Sequence, residues 1–129
     1  MILVDTSIWI ELLNGRLGSR LAEPQLLQFR ICGPVIQEVL QGLRDDPASD
    51  KFRKQFLSIP MFNDPLQTST FIFASEIYRL GRQKGFTIRS AIDCLIAAIA
   101  IENRATVWHR DRDYERIAKY TSLQSTQHI

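Results

Sequence analysis

Two carboxylates sit where apolar sequence surrounds them. Asp5 ends the run Met1-Ile2-Leu3-Val4 and precedes Thr6-Ser7-Ile8-Trp9-Ile10. Asp93 interrupts the run Ala91-Ile92-Asp93-Cys94-Leu95-Ile96-Ala97-Ala98, and no lysine or arginine adjoins either acid. A buried charge costs several kcal/mol to desolvate unless something compensates it. Glu38 and Asp111 are two further candidates. Glu38 falls in the first turns of a helix after a second apolar stretch, and Asp111 comes three residues after Trp108. Singly, each acid has an ordinary reading. Asp5 suits a helix N-cap, Asp93 the first turn of a helix and its dipole, and Glu38 a solvated helix face. Asp111 and Asp113 suit a self-neutralising loop, Arg110-Asp111-Arg112-Asp113. Together they repel: two carboxylates about 4 Å apart cost roughly 4 kcal/mol at an effective dielectric of about 20. A pocket of four needs a counter-charge. Oxygen ligands without His or Cys suit Mg²⁺ or Mn²⁺ rather than Zn²⁺.

The elements that must position these acids read as alternating strands and helices. Residues 2 to 4 predict a strand. A helix follows over about 7–13, ended by Asn14-Gly15. Residues 19–27 are ambiguous, since Pro24 weakens a single long helix. Residues 27–32 alternate like a second strand, and Gly33-Pro34 opens a helix over about 35–43. Further helices are expected over about 48–59 and 68–84, with a short strand within 60–65. In the longer helix, Phe73, Ile77 and Leu80 share one face, and Phe71, Ala74 and Tyr78 an adjoining one. A helix over about 91–102 begins with Ser90 and Asp93 in capping-box spacing. Residues 105–108 predict a buried strand and 113–120 a short helix, and the last residues add an edge strand or fray. This order implies an α/β fold, a mostly parallel sheet flanked by helices. In such sheets ligands gather beyond the carboxyl ends of the strands, where all four acids fall.

Composition narrows the class. The chain has 129 residues, 45% of them hydrophobic and 23% charged, as expected for one soluble globular domain spanning 1–129. Its net charge of +2 is too weak to imply nucleic acid by itself. Cys32 and Cys94 are the only cysteines. They read as reduced core residues of a cytoplasmic protein. No apolar stretch approaches the roughly 18–20 residues of a membrane span, so no membrane is expected.

Four segments carry a family resemblance. They are Ile2-Leu3-Val4-Asp5-Thr6-Ser7-Ile8-Trp9-Ile10, Val35-Ile36-Gln37-Glu38-Val39-Leu40-Gln41-Gly42, Ser90-Ala91-Ile92-Asp93-Cys94-Leu95-Ile96-Ala97 and the stretch from His109 to Ala118. In this order and spacing the chain resembles the PIN-domain ribonucleases, especially the VapC-type toxins of toxin–antitoxin pairs. The resemblance covers nearly the whole chain and implies a three-layer PIN-like fold. Asp5, Glu38, Asp93 and Asp111 match the family's acidic positions. Asp5 and Asp93 are expected to bind Mg²⁺ (or Mn²⁺) most directly, Glu38 to position water, and Asp111 to complete the pocket. Asp113 matches a frequent additional acid. Thr6 or Ser7 would hydrogen-bond a carboxylate or phosphate. Many relatives carry Ser or Thr near the position of His109, and this chain departs there.

The implied activity is metal-dependent hydrolysis of RNA phosphodiesters with water as nucleophile. Transfer RNA and ribosomal RNA both suit the family. The implied partners are a cognate VapB-type antitoxin and a second copy of the chain. An acidic pocket repels phosphate, so RNA binding needs basic side chains at its rim; the candidates are Arg82, Lys84, Arg89, Arg110 and Arg112. Trp9 and Trp108 read as core. Phe71, Phe73 and Tyr78 read as core or dimer contact. Two other readings compete. A phosphoacceptor receiver domain needs its aspartate after a central strand and a late lysine, which Asp5 on the first strand does not fit. A PIN scaffold that binds RNA or a partner without cutting keeps the fold but not the need for intact acids.

Overall fold

The computed structural model describes residues 1–15 and 23–129. Strand β1 (Ile2–Val4) is followed at once by α1 (Thr6–Leu13), with Asp5 as the N-cap between them. Then come α2 (Glu23–Leu26), β2 (Phe29–Arg30), α3 (Gly33–Gln41), α4 (Pro47–Leu57) and α5 (Thr68–Gln83). The chain continues through α6 (Ala91–Glu102), β3 (Thr106–Trp108), α7 (Arg112–Ala118) and β4 (Gln124–Thr126). The four strands lie in the order β2-β1-β3-β4, and every pairing is parallel. This is the α/β architecture expected from the strand–helix alternation.

Local chemistry explains most of the boundaries. Leu3 and Val4 are fully buried, as a central parallel strand covered on both faces requires. After α1 the chain turns through Gly15 at φ 71, a backbone state that costs glycine least. Pro34 and Pro47 stand in the first turns of α3 and α4, where a missing N–H costs nothing. The Asp46 carboxylate caps α4 by accepting from the Ser49 amide at 2.7 Å. Helix α6 is apolar nearly all round, and every residue from Asp93 to Ala100 is buried. It is the central helix of the core.

Five expectations need correction or limit. The second strand is shorter than residues 27–32, ending at Arg30; Ile31 instead makes a single parallel bridge to Met61. That bridge is all that forms of a strand within 60–65, because Pro60 and Pro65 have no amide to donate. Ser90 makes no side-chain cap on α6, so the capping box is not formed; the Asp93 carboxylate turns elsewhere. On α5 the buried stripe is Thr70, Ala74, Ile77 and Gly81, which runs between the two aromatic faces read from sequence, while Phe71 is 50% and Leu80 38% exposed. Small side chains on this stripe let α5 lie close to the core. Of the ambiguous stretch 19–27, residues 19–22 lie outside the described residues, and α2 begins at Glu23.

Other readings hold. Residues 124–126 form an edge strand, parallel to β3. Trp9 and Trp108 are 4% and 2% exposed, each donating its indole N–H to a carbonyl, of Val4 and Gln127 respectively. Cys32 and Cys94 are buried free thiols. Among the described residues no helix is long and apolar enough to cross a membrane.

Candidate metal centre

β1 and β3 pair in register, Val4 opposite Trp108, so both strands end at one level. The Asp5 amide closes the ladder on the Trp108 carbonyl at 3.0 Å. Asp5 and the His109–Asp111 turn therefore emerge at the same edge of the sheet. The apolar strands go no further because their next residues are polar.

The Asp5 carboxylate is 6% exposed and fully engaged. Its Oδ2 accepts from the Ser7 amide at 3.2 Å and the Ser7 hydroxyl at 2.5 Å. Its Oδ1 accepts from the Tyr114 hydroxyl at 2.8 Å. The N-cap reading of Asp5 is met by Oδ2, while Oδ1 faces the Tyr114 hydroxyl. Asp93, 8% exposed on the first turn of α6, presents its Oδ1 to the same Tyr114 hydroxyl at 3.2 Å. Its Oδ2 is buried and, as a carboxylate oxygen, finds no hydrogen donor among the described residues. Burial first, then a proton shared with the Asp111 carboxylate and that group's charge, then the charge of Asp5, push the Asp93 carboxyl up to about 8, while the Tyr114 hydroxyl opposes the rise.

Asp111 caps α7 by accepting from the Asp113 amide at 2.9 Å. Carboxylate oxygens of Asp93, Asp111 and Asp113 lie within 4.8 Å of one another. Asp113 is 2% exposed but compensated. Its Oδ1 takes the Arg116 guanidinium at 2.7 Å and its Oδ2 the Arg89 amide at 2.9 Å. Among the described residues no cation pairs with Asp111. Glu38, half-buried on α3, accepts from the Thr6 hydroxyl at 3.0 Å. Both Glu38 and Asp5 are close enough to Cys32 to add to the burial that raises its thiol to about 12. Thr6 and Ser7 therefore each hold one of the acids.

His109 is fully buried beside these groups. Its Nδ1 accepts from the Asp111 amide at 3.0 Å, which leaves the ring proton on Nε2, and Nε2 has no partner. Burial lowers its pKa against the pull of Asp5, Glu115 and Asp111. With Nδ1 engaged and Nε2 protonated, this imidazole is no metal ligand in this arrangement. The open donors are carboxylate oxygens, and the orphaned Oδ2 of Asp93 is an atom that a hard divalent cation would satisfy.

The basic residues are less closely gathered. Arg112 is exposed on the first turn of α7, next to Asp111, and the Arg89 backbone is tied to Asp113. Arg110 pairs with Glu11 at 3.0 Å and also donates to the Gln127 carbonyl, so part of its charge is spent locally. Arg82 lies 5.9 Å from the Tyr78 ring centre, and neither it nor Lys84 bonds to an acid of the site. Tyr114 was not expected from sequence as part of the site. Its signal was only a tyrosine directly after Asp113, indistinguishable there from a core aromatic.

Comparison with known proteins identifies the family. A model of the family described as PIN domain matches residues 2–120. Ribonuclease VapC11 of Mycobacterium tuberculosis is 37% identical, with 97% of each chain covered. Ribonuclease VapC18 of the same organism is 31% identical over 98% of this chain and 93% of its own. Among solved structures, a chain of VapBC2 from Rickettsia felis, bound to a DNA fragment from their promoter, superposes with a TM-score of 0.73 at 23% identity, covering 98% of both chains. FitAcB from Neisseria gonorrhoeae gives a TM-score of 0.68 at 21% identity, covering 97% of this chain and 96% of its own. With its acids gathered at the strand ends and these relatives along its length, the chain belongs to the PIN-domain family, alongside the VapC ribonucleases.

Proposed function

We propose that this protein is a metal-dependent endoribonuclease, the toxin of a type II toxin–antitoxin pair. The observation that carries the reading is the buried Oδ2 of Asp93, without a hydrogen donor among the described residues, in a carboxylate cluster where, among those residues, only Asp113 pairs with a cation. The ribonuclease names of relatives at 37% and 31% identity support RNA as the substrate class.

Asp93, Asp111 and Asp5 would hold Mg²⁺ or Mn²⁺, with Asp113 compensated by Arg116 and acting as support. A divalent ion there supplies Lewis-acid stabilisation of the phosphoryl charge and acidifies water at neutral pH. Glu38, aimed by Thr6, accepts a proton from the attacking water. Ser7 fixes Asp5 in one rotamer. Arg112 and Arg89 offset the repulsion between the acids and the RNA backbone.

Two surfaces support the partner readings. A groove of about 650 Å³ between α1, α3 and α4 is lined by Ile10, Leu13, Val39 and Phe52 and has Glu38 on its wall. It suits an apolar segment of a VapB-type antitoxin that ends beside the acids. VapBC complexes among the structural neighbours favour that occupant. An apolar cavity of about 490 Å³ between α5 and α6, with exposed Phe71 and Ile92 on its lining, suits a second copy of the chain.

The test is RNA cleavage with Mg²⁺ or Mn²⁺ by the wild type and by Asp5→Asn and Asp93→Asn. Each variant is expected to lose more than the ~10–100-fold that removal of a supporting contact costs, with unchanged circular dichroism. Full metal-dependent activity in both would remove the site assignment. A folded wild type that binds RNA without cutting it would favour the scaffold reading.

A further inference from the structure

Tyr114 is fully buried, and the bonding partners of its hydroxyl are two acids. The two contacts come from separate parts of the fold, Asp5 beyond β1 and Asp93 on α6, while the phenol itself belongs to α7. Burying a hydroxyl without partners costs roughly 1–3 kcal/mol, and a phenylalanine would fill nearly the same volume without that burden. The oxygen therefore does something the ring alone does not. The ring is held on its other side by the buried His109, with centres 5.0 Å apart.

We propose that Tyr114 is the positioning residue of the acidic site: its hydroxyl holds the Oδ1 atoms of Asp5 and Asp93 to one point and so reserves Asp93 Oδ2 for a divalent cation. This rests on the metal reading above. Turning the Asp93 carboxylate away from this orientation would break the 3.2 Å contact, and moving Asp5 would break the 2.8 Å contact and its bonds to Ser7. The hydroxyl touches neither substrate nor reacting atoms. It acts through the carboxylates, as groups behind metal ligands commonly do.

The experiment is Mn²⁺ titration, followed by the electron paramagnetic resonance of the free ion and by calorimetry, on the wild type, Tyr114→Phe and Tyr120→Phe. Tyr120 is the control, because its hydroxyl donates instead to the Ile77 carbonyl at 2.9 Å. Tyr114→Phe is expected to raise the Mn²⁺ dissociation constant about tenfold or more, with the bound-ion spectrum altered and KM for RNA unchanged. Tyr120→Phe is expected to leave all three as they are. Equal losses in both variants would show a general packing effect and overturn the proposal. Wild-type affinity in Tyr114→Phe would overturn it while leaving the metal reading intact. A wild type that binds no Mn²⁺ would overturn the metal reading and this inference with it.

Discussion

Asp93 is under strong electrostatic tension, because burial and the neighbouring acids all disfavour its charge. Without a cation its carboxyl is held protonated up to about pH 8, whereas in the unfolded chain it ionises near pH 4. A raised folded-state pKa means that folding takes up a proton. Its contribution is complete below about pH 4 and is lost as pH rises through about 8. His109 has the opposite sign: its pKa is lowered, so its contribution is present above about pH 6.5 and is lost as pH falls through its depressed folded value. Between about pH 6.5 and 8 the Asp93 term stands largely alone. The metal-free protein is expected to lose up to about 1.4 kcal/mol per pH unit there, read from urea denaturation. Asp93→Asn should flatten that slope, and Mn²⁺ should bind more tightly as pH approaches 8, because binding displaces the proton. Asp5 and Asp93 stood out in the sequence because a charge inside an apolar run has no cheap explanation. Tyr114 did not, because an aromatic in an amphipathic helix looks the same whether its hydroxyl meets water, a carbonyl or two acids.

At the scale of elements, α5 against the core tests how closely helices pack. Gly81 lies under the Tyr120 ring, and a Cβ placed there would meet the hydroxyl oxygen at 2.3 Å and Cζ at 2.7 Å. On an exposed helix Gly→Ala gains up to about 1 kcal/mol. Here the sign should reverse, with Gly81→Ala destabilising by roughly 1–3 kcal/mol in equilibrium denaturation. Tyr120→Phe alone should cost only about 1 kcal/mol, the worth of one hydrogen bond. Phe73 and Tyr78 pack against the core from either side of the buried α5 stripe, and Phe71 stays exposed. Their spacing is helical, as expected, but the face turned inward is the one with the smallest side chains, and closeness of approach is a property of the partner helix. By contrast α6 was legible nearly to the residue, since a helix apolar all round can only be buried. The short strands were harder: β2 keeps two residues, and its continuation depends on whether a distant segment supplies a bridging partner.

For the whole molecule, the cavity between α5 and α6 and the exposed Phe71 beside it predict association. The wild type is expected to sediment as a dimer and Phe71→Glu as a monomer, with metal binding retained because Phe71 is no part of the acidic cluster. Sedimentation velocity checks the mass, and a wild-type monomer would end the dimer reading. The α/β class was readable from alternation alone, but strand order was not, because the pairing of parallel strands is decided by crossovers that no local pattern records. That pairing governs how the molecule comes into being. The two middle strands, β1 and β3, match Leu3 with Val107, contacts separated by roughly a hundred residues. Among the described strands no hairpin closes the sheet early, so folding must meet the loop entropy of a long chain before its central contact repays it. A growing polypeptide that lacks β3 also lacks Asp111 and Tyr114. It therefore has no assembled carboxylate pocket, and the chemistry proposed for this protein waits until β3 and α7 have been made and docked.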